Sequence, residues 1–591
     1  MSREEKNTSG KAFDIQLFKR ILSFVKPYKL QFAVSAAAVI LLATFATIRP
    51  YLLQQVIDKY IVNKDAMQLL TYILLMLIVL LFEVFFQFLF IYFANWLGQH
   101  IVKDIRTKLF DFLLHFKMSF FNKQAVGKLV TRVVSDIETI ASIFGQGLFI
   151  IISDFLKMLF IAVLMISMNW KLALIVFAIL PILIYATRIF QKAMKHAFHE
   201  VRTEVANLNG FVQERITGMK IVQLFVREKI EYDNFKKINE KHKKAWIKTV
   251  WYNSIFFPVA EILPSVAIGL VVWYGGLQAA VNSSVTAGEI ISFIMMNNML
   301  FRPLRQIADK FNTLQMGMVA AERVFKVIDT NEAELDKGNM DIEVLKGEIN
   351  FENVHFSYVK DEEVLKGISF DVKAGETVAL VGATGAGKST IVNLLNRFYN
   401  IDKGQIMIDD KPISIFKLHE LRKHIAVVLQ DVFLFSDSIL NNITLNDPAI
   451  TYEEVVEAAK EIGIHEFIMT LPNNYYYNVK ERGVMLSAGQ RQLIAFLRAA
   501  VSSPSILILD EATSSIDTHS EILIQQATDK ITKDRTSIIV AHRLATIKKA
   551  DKIIVMDNGM VVEQGTHREL LDKGGYYSKL YTIQFLQKQT G

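Results

Sequence analysis

Apolar residues are distributed unevenly along this 591-residue chain, gathering before about residue 312 in runs longer than a soluble core helix requires. A bilayer core takes about 20 predominantly apolar residues per helix. Six segments reach or approach that length, at roughly 31–53, 69–95, 141–167, 170–190, 251–274 and 290–312. The third carries Asp154 and Lys157, and the sixth carries Asn297, Asn298 and Arg302, so both are expected to face a pore rather than lipid. Between the second and third segments, Val102, Ile105, Leu109, Phe110 and Leu113 keep helical spacing. The helices are therefore predicted to continue past the apolar zone, and at about 1.5 Å per residue such extensions reach tens of ångströms.

After about residue 325 the pattern changes. Charged residues crowd Asp329 to Lys346, as in a linker. Strand-like runs then follow at Val378–Val381, Ile425–Leu429, Ile506–Leu509, Ser537–Val540 and Lys552–Met556, alternating with helical ones. That alternation predicts an α/β domain with a largely parallel sheet. The expected organisation is an N-terminal segment (1–30), an all-α six-helix transmembrane domain with long extensions (31–325), a linker (326–346) and an α/β domain (347–591).

Composition and charge sharpen this picture. With 12 His left neutral the formal charge is +7, but Lys and Arg mostly flank the apolar runs. That placement argues for a membrane protein with basic cytoplasmic loops and against nucleic-acid binding. Lys19, Arg20, Lys26 and Lys29 precede the first segment. Further basic groups fill the second-to-third and fourth-to-fifth connections, whereas Met168–Asn169 and Gly275–Gly288 hold none. The positive-inside rule then places both termini in the cytoplasm of a multi-pass cell-membrane protein. The absence of cysteine excludes disulfide scaffolds, thiolate metal sites and cysteine nucleophiles. The polar stretch from Met1 to Lys29 lacks the apolar centre of a secretory signal.

The sharpest chemical signal is Gly382-Ala383-Thr384-Gly385-Ala386-Gly387-Lys388-Ser389-Thr390, a G-x-x-x-x-G-K-[ST] run between an apolar strand and a helix start. Glycines let backbone N–H groups turn inward around phosphates, and the helix N-terminus favours negative charge. Lys388 is expected at the β/γ-phosphates of ATP and Ser389 on Mg²⁺. Downstream, the apolar run Ile506–Leu509 ends in Asp510-Glu511. Asp510 suits the Mg²⁺ shell, and Glu511 is placed to polarise an attacking water.

Leu486-Ser487-Ala488-Gly489-Gln490, followed by Arg491-Gln492-Leu493, resembles the signature motif of ATP-binding cassette proteins. With the order of the other motifs, the chain resembles the ABC exporter half-transporter family over essentially its whole length. The resemblance implies an adenine-stacking role for Tyr358, a Q-loop role on Mg²⁺ for Gln430 and a D-loop role for Asp517. It also implies a γ-phosphate-sensing switch role for His542, with Ser487, Gly489 and Gln490 closing over the ATP of a second cassette. Glu481-Arg482-Gly483 resembles the short exporter element before the signature. One cassette per chain then implies a dimer, with itself or with a related half-transporter. Ala488 departs from the pattern, which usually has a second glycine there.

The expected activity is ATP-driven outward transport of a hydrophobic or amphipathic small molecule or lipid. Rival readings of the same architecture are a lipid flippase, a peptide exporter or a non-transporting membrane ATPase that regulates. Glu83, Asp154, Lys157 and Glu261 fall within the apolar segments. Either they line a cavity or they pair in packing. In a cavity, three acids against one base would favour cationic amphipathic cargo.

Overall fold

The computed structural model describes residues 14–582, apart from 283, 284, 331, 335, 337, 511–517 and 542. By its contacts the chain forms two units. One comprises the chain up to Leu114 together with Ala125–Asn331, and the other comprises His115–Gln124 together with Glu332 onward.

The first unit is helical. After a short amphipathic helix, Ile15–Ser23, long helices span Lys29–Gln55, Ala66–Leu114, Trp170–Thr217, Glu228–Asn282 and Ala287–Ile328. Val126–Met168 is helical as well, but α and π turns alternate up to Leu148 before a regular stretch, Phe149–Met168. Among the described residues, five of these stretches are long and apolar enough to cross a membrane. The sixth predicted span lies in Ala287–Ile328, where Asn297, Asn298 and Arg302 dilute the hydropathy.

Burial distinguishes a membrane helix from a core helix. The most apolar window of Ala66–Leu114 has a mean hydropathy of 2.7, yet only 11% of it is buried. Leaving side chains such as Ile73, Leu74, Leu77 and Leu81 in water would cost roughly 1.5–3 kcal/mol each. The solvent against that face is therefore hydrocarbon.

Polar ties hold the helices together where apolar attraction cannot, because lipid tails compete equally for apolar side chains. Ser292 Oγ donates to the Pro50 carbonyl at 2.7 Å, and Asn297 Nδ2 donates to the Pro264 carbonyl at 3.2 Å. Asp58 accepts from Thr286 Oγ1 at 2.5 Å and from the Gly288 N–H at 2.8 Å. Asn297 is fully buried against a neighbouring helix, so within this chain it does not face open space.

In the second unit, β1 (Ile349–Val359), β2 (Glu362–Val372), β4 (Lys403–Ile408) and β5 (Lys411–Pro412) form an antiparallel sheet in the order β2-β1-β4-β5. A second sheet takes β3 (Thr377–Gly382), β6 (Ile425–Val428), β7 (Ile506–Asp510), β8 (Thr536–Val540), β9 (Lys552–Asp557) and β10 (Met560–Gly565). Its order is β10-β9-β3-β8-β7-β6, parallel throughout except for the edge pair β10–β9. The five predicted strands are the five parallel ones. Alternation along β3 sends Val378 and Leu380 into one apolar cluster and Ala379 and Val381 into another, so both faces are covered.

His115–Gln124 packs with this second unit and contains a short helix, Met118–Lys123. The Lys117 N–H donates to the Glu332 carbonyl at 2.9 Å, and the Glu334 N–H donates to the His115 carbonyl at 2.7 Å. Two excursions of the chain are thereby knit side by side.

One prediction concerns Lys310 Nζ and Asp154 Oδ2, which lie 2.5 Å apart with both side chains about four-fifths buried. Removing one partner strands the other charge, whereas replacing both with apolar residues does not. Asp154→Asn is expected to lower the thermal midpoint in nanodiscs, and Asp154→Leu with Lys310→Met is expected to recover most of the loss. A double-mutant cycle should give a coupling of about 2 kcal/mol; a value near zero would make the pair energetically idle.

Candidate nucleotide-binding site

The C-terminal ends of the parallel strands gather the candidate residues along one edge of the sheet. β3 runs into the glycine-rich loop, β7 ends at Asp510, and Gln430 lies exposed just past β6. Glu511 and Asp517 follow β7, and His542 follows β8; these three lie outside the described residues.

The loop closes onto the helix Lys388–Leu395. Gly385 and Gly387 have φ of +86° and +98°, in the left-handed region that side chains disfavour. A Cβ at Gly387 would stand 2.6 Å from Leu365 Cδ2, whereas one at Gly385 would meet nothing within 4 Å. Lys388 is 7% exposed and bends back over the loop, with Nζ donating to the carbonyls of Gly382 at 2.7 Å and Ala383 at 2.9 Å. Burial pushes its ammonium below the usual lysine range, and the Asp510 carboxylate opposes that shift. A phosphate in the loop would oppose it further, because an anion favours the charged ammonium.

Ser389 Oγ donates to Asp510 Oδ2 at 3.4 Å, bringing together a hydroxyl and a carboxylate as hard oxygen donors of the kind Mg²⁺ prefers. Tyr358, 40% exposed near the end of β1, sits beside the same helix. Its hydroxyl donates to Thr390 Oγ1 at 3.3 Å and accepts from Asn393 Nδ2 at 3.1 Å. An aromatic ring, a backbone cradle, a lysine and a hydroxyl–carboxylate pair thus converge at one helix N-terminus. That donor set fits a nucleoside triphosphate with its cation.

Ser487 caps the helix Ala488–Val501 through a reciprocal box. Its Oγ accepts from the Gln490 N–H at 3.2 Å, while Gln490 Oε1 accepts from the Ser487 N–H at 2.9 Å. Gly489 is buried, and Ser487 and Ala488 are exposed at the helix start. Ala488 is the first helical residue and is not among the positive-φ positions, so the backbone there does not require glycine. Arg491 donates to the Leu486 carbonyl at 2.8 Å and steadies the turn that follows Glu481-Arg482-Gly483, where Arg482 has φ of +54°.

Residues without motif status also belong to the site. Asn393 anchors Tyr358, and Tyr399 stands perpendicular to it with ring centroids 5.0 Å apart. Neither carries a sequence signature; only the fold brings them to β1.

In the membrane unit Glu83 and Asp154 each lie beside a base. Arg49 lies 3.5 Å from Glu83 and Lys310 lies 2.5 Å from Asp154, while Glu261 is on an exposed helix face. Lys157 lies in the field of Asp154, Glu83, Lys310 and Arg302. The local excess of acid that motivated a cationic cargo is therefore absent around Lys157. Arg49 Nε, Gln54 Oε1 and Glu83 Oε2 are buried without a hydrogen-bond partner in the chain.

The loop geometry makes a graded prediction. Gly385→Ala and Gly387→Ala each incur about 1–2 kcal/mol of left-handed backbone strain, but only Gly387→Ala adds overlap with Leu365. The thermal midpoint is expected to fall further for Gly387→Ala; equal falls would mean that Leu365 yields freely.

The description "ABC transporter transmembrane region" matches residues 32–304, and "ABC transporter" matches 365–514. Full-length relatives agree with both. YknV of Bacillus subtilis, named an uncharacterized ABC transporter ATP-binding protein, is 35% identical over 97% of this chain and 96% of its own length. YgaD of the same organism, provisionally named a multidrug export ATP-binding/permease protein, is 36% identical over 96% of this chain and its full length. An ATP-dependent lipid A-core flippase of Haemophilus influenzae is 35% identical over 99% of this chain and its full length. This chain therefore belongs to the ABC transporter family, with a multi-pass transmembrane region and an ATP-binding domain fused in one ATP-driven exporter polypeptide.

Proposed function

We propose that this chain is one half of a homodimeric exporter that moves hydrophobic or amphipathic solutes outward across the cytoplasmic membrane, with both termini and the ATPase domain in the cytoplasm. The observation that carries this reading is a complete P-loop cradle and an exposed, capped signature helix on one cassette, fused to long lipid-facing helices. When bound, Mg·ATP supplies the phosphoanhydride whose hydrolysis powers the cycle.

The residues divide the work. Backbone N–H groups of the loop from Gly385 to Ser389 would hold the phosphates, and Lys388, now on the Gly382 and Ala383 carbonyls, would supply their countercharge. Ser389, Asp510 and Gln430 would hold Mg²⁺, and Tyr358 would stack on the base. Glu511 orients the attacking water, and His542 reads the γ-phosphate. Ser487, Gly489 and Gln490 would serve the ATP of the other subunit, and the D-loop role would fall to Asp517. Because Ala488 has ordinary helical backbone, the fold has no need of glycine there, which favours a self-sufficient homodimer.

Purified alone in nanodiscs, the chain is expected to have the mass of a dimer and to hydrolyse Mg·ATP. Glu511→Gln is expected to slow hydrolysis by about a hundredfold or more. A monomer, or a dimer without turnover, would overturn the homodimer.

A lipid cargo has specific support. Lys157 and the groups in its field comprise three cations (Lys157, Arg302 and Lys310) and two anions (Glu83 and Asp154). That balance suits an anionic headgroup. In proteoliposomes, Lys157→Ala should slow translocation of fluorescent phosphatidylglycerol by about fivefold or more and leave uptake of a cationic dye unchanged. The opposite pattern would exclude the anionic lipid.

A further inference from the structure

The chain crosses between its two units around His115–Gln124 and again just before Glu332, and both excursions end on one short turn. That turn, Asn396 to Tyr399, directly follows the P-loop helix. From the linker, Glu334 pairs with the Arg422 guanidinium at 2.8 and 3.2 Å. Arg422 in turn donates to the Asn396 carbonyl at 3.2 Å and lies 4.9 Å over the Phe398 ring. From the other excursion, Asn122 Nδ2 donates to the Tyr399 hydroxyl at 2.6 Å.

Tyr399 then reaches the candidate base platform. Its ring is perpendicular to Tyr358, and Phe356 is perpendicular to Tyr358 from a second direction, with centroids 4.8 Å apart at 87°. Tyr358 is thus fixed at its hydroxyl by Thr390 and Asn393 and at its ring by two aromatic neighbours. An aromatic that stacks on a base contributes only when its plane is set in advance, since ordering it on binding offsets the gain.

We propose that Tyr399 is a positioning residue for the nucleotide base. It sets the plane of Tyr358 and, through Asn122, ties that plane to the helix Met118–Lys123. The proposal rests on Tyr358 as the base-stacking residue. It predicts that the Asn122–Tyr399 bond is felt by the adenine ring and not by the phosphates.

Equilibrium binding of ATP and of inorganic tripolyphosphate separates the two effects, using full-length Glu511→Gln protein in nanodiscs to prevent turnover. Tyr399→Ala is expected to weaken ATP binding by about five- to tenfold while tripolyphosphate affinity holds. Tyr399→Phe and Asn122→Ala should each weaken ATP by about threefold, and the double variant no further, because both remove one hydrogen bond. Parallel loss of tripolyphosphate affinity, or additive losses in the double variant, would overturn the proposal. Tyr399→Phe keeps the ring and carries the test should Tyr399→Ala fail to fold. Tyr358→Ala tells the two failures apart. If it leaves ATP affinity unchanged, the base-stacking assignment falls; if it weakens ATP while the Tyr399 and Asn122 variants do not, only the positioning role falls.

Discussion

Hydrocarbon offers a backbone N–H no hydrogen-bond partner, and this constraint governs the membrane unit. Each group must be satisfied inside its own helix, so the chain crosses in unbroken helices such as the 49-residue Ala66–Leu114 and the 55-residue Glu228–Asn282. Proline is the exception that tests the rule. Pro50 and Pro264 lie inside continuous helices without an N–H to give, and the carbonyl of each accepts from a polar side chain of the helix Ala287–Ile328. Those ties add specificity to a bundle whose apolar faces are equally content with lipid.

The same economy explains where charge sits. An isolated ion in this unit is expensive, and Glu83 and Asp154 are met by Arg49 and Lys310. The cost of the pairing partners could not be read from linear spacing. Lys310 is 156 residues from Asp154, and only the bundle brings them together. Three acids against one base misjudged the local sign of charge, because Arg49, Arg302 and Lys310 also lie within the first and sixth apolar segments.

Elsewhere, legibility followed burial. β3, β6, β7, β8 and β9 are covered on both faces and therefore read as continuous apolar runs, visible without any partner. β1, β2, β4 and β10 were not read as strands. β1 mixes buried and exposed positions irregularly because its pairing with β2 slips at four places. The P-loop was legible because its chemistry is local: nine consecutive residues supply both the turn and the donors. Asn393 and Tyr399 were not, because their meaning comes from a strand that precedes them by more than 30 residues.

The two kinds of information meet at the turn after the P-loop helix. A phosphate cradle needs only a strand, a loop and a helix start, so it tolerates many surroundings. Coupling that cradle to a membrane helix is harder, because a rigid element must sense occupancy without blocking entry. Tyr399 packs edge-on against Tyr358, and Asn122 reaches Tyr399 from a short helix that follows the 49-residue Ala66–Leu114 along the chain. Glu334 and Arg422 secure the same turn from the linker side, so the turn cannot shift relative to one excursion without straining the other.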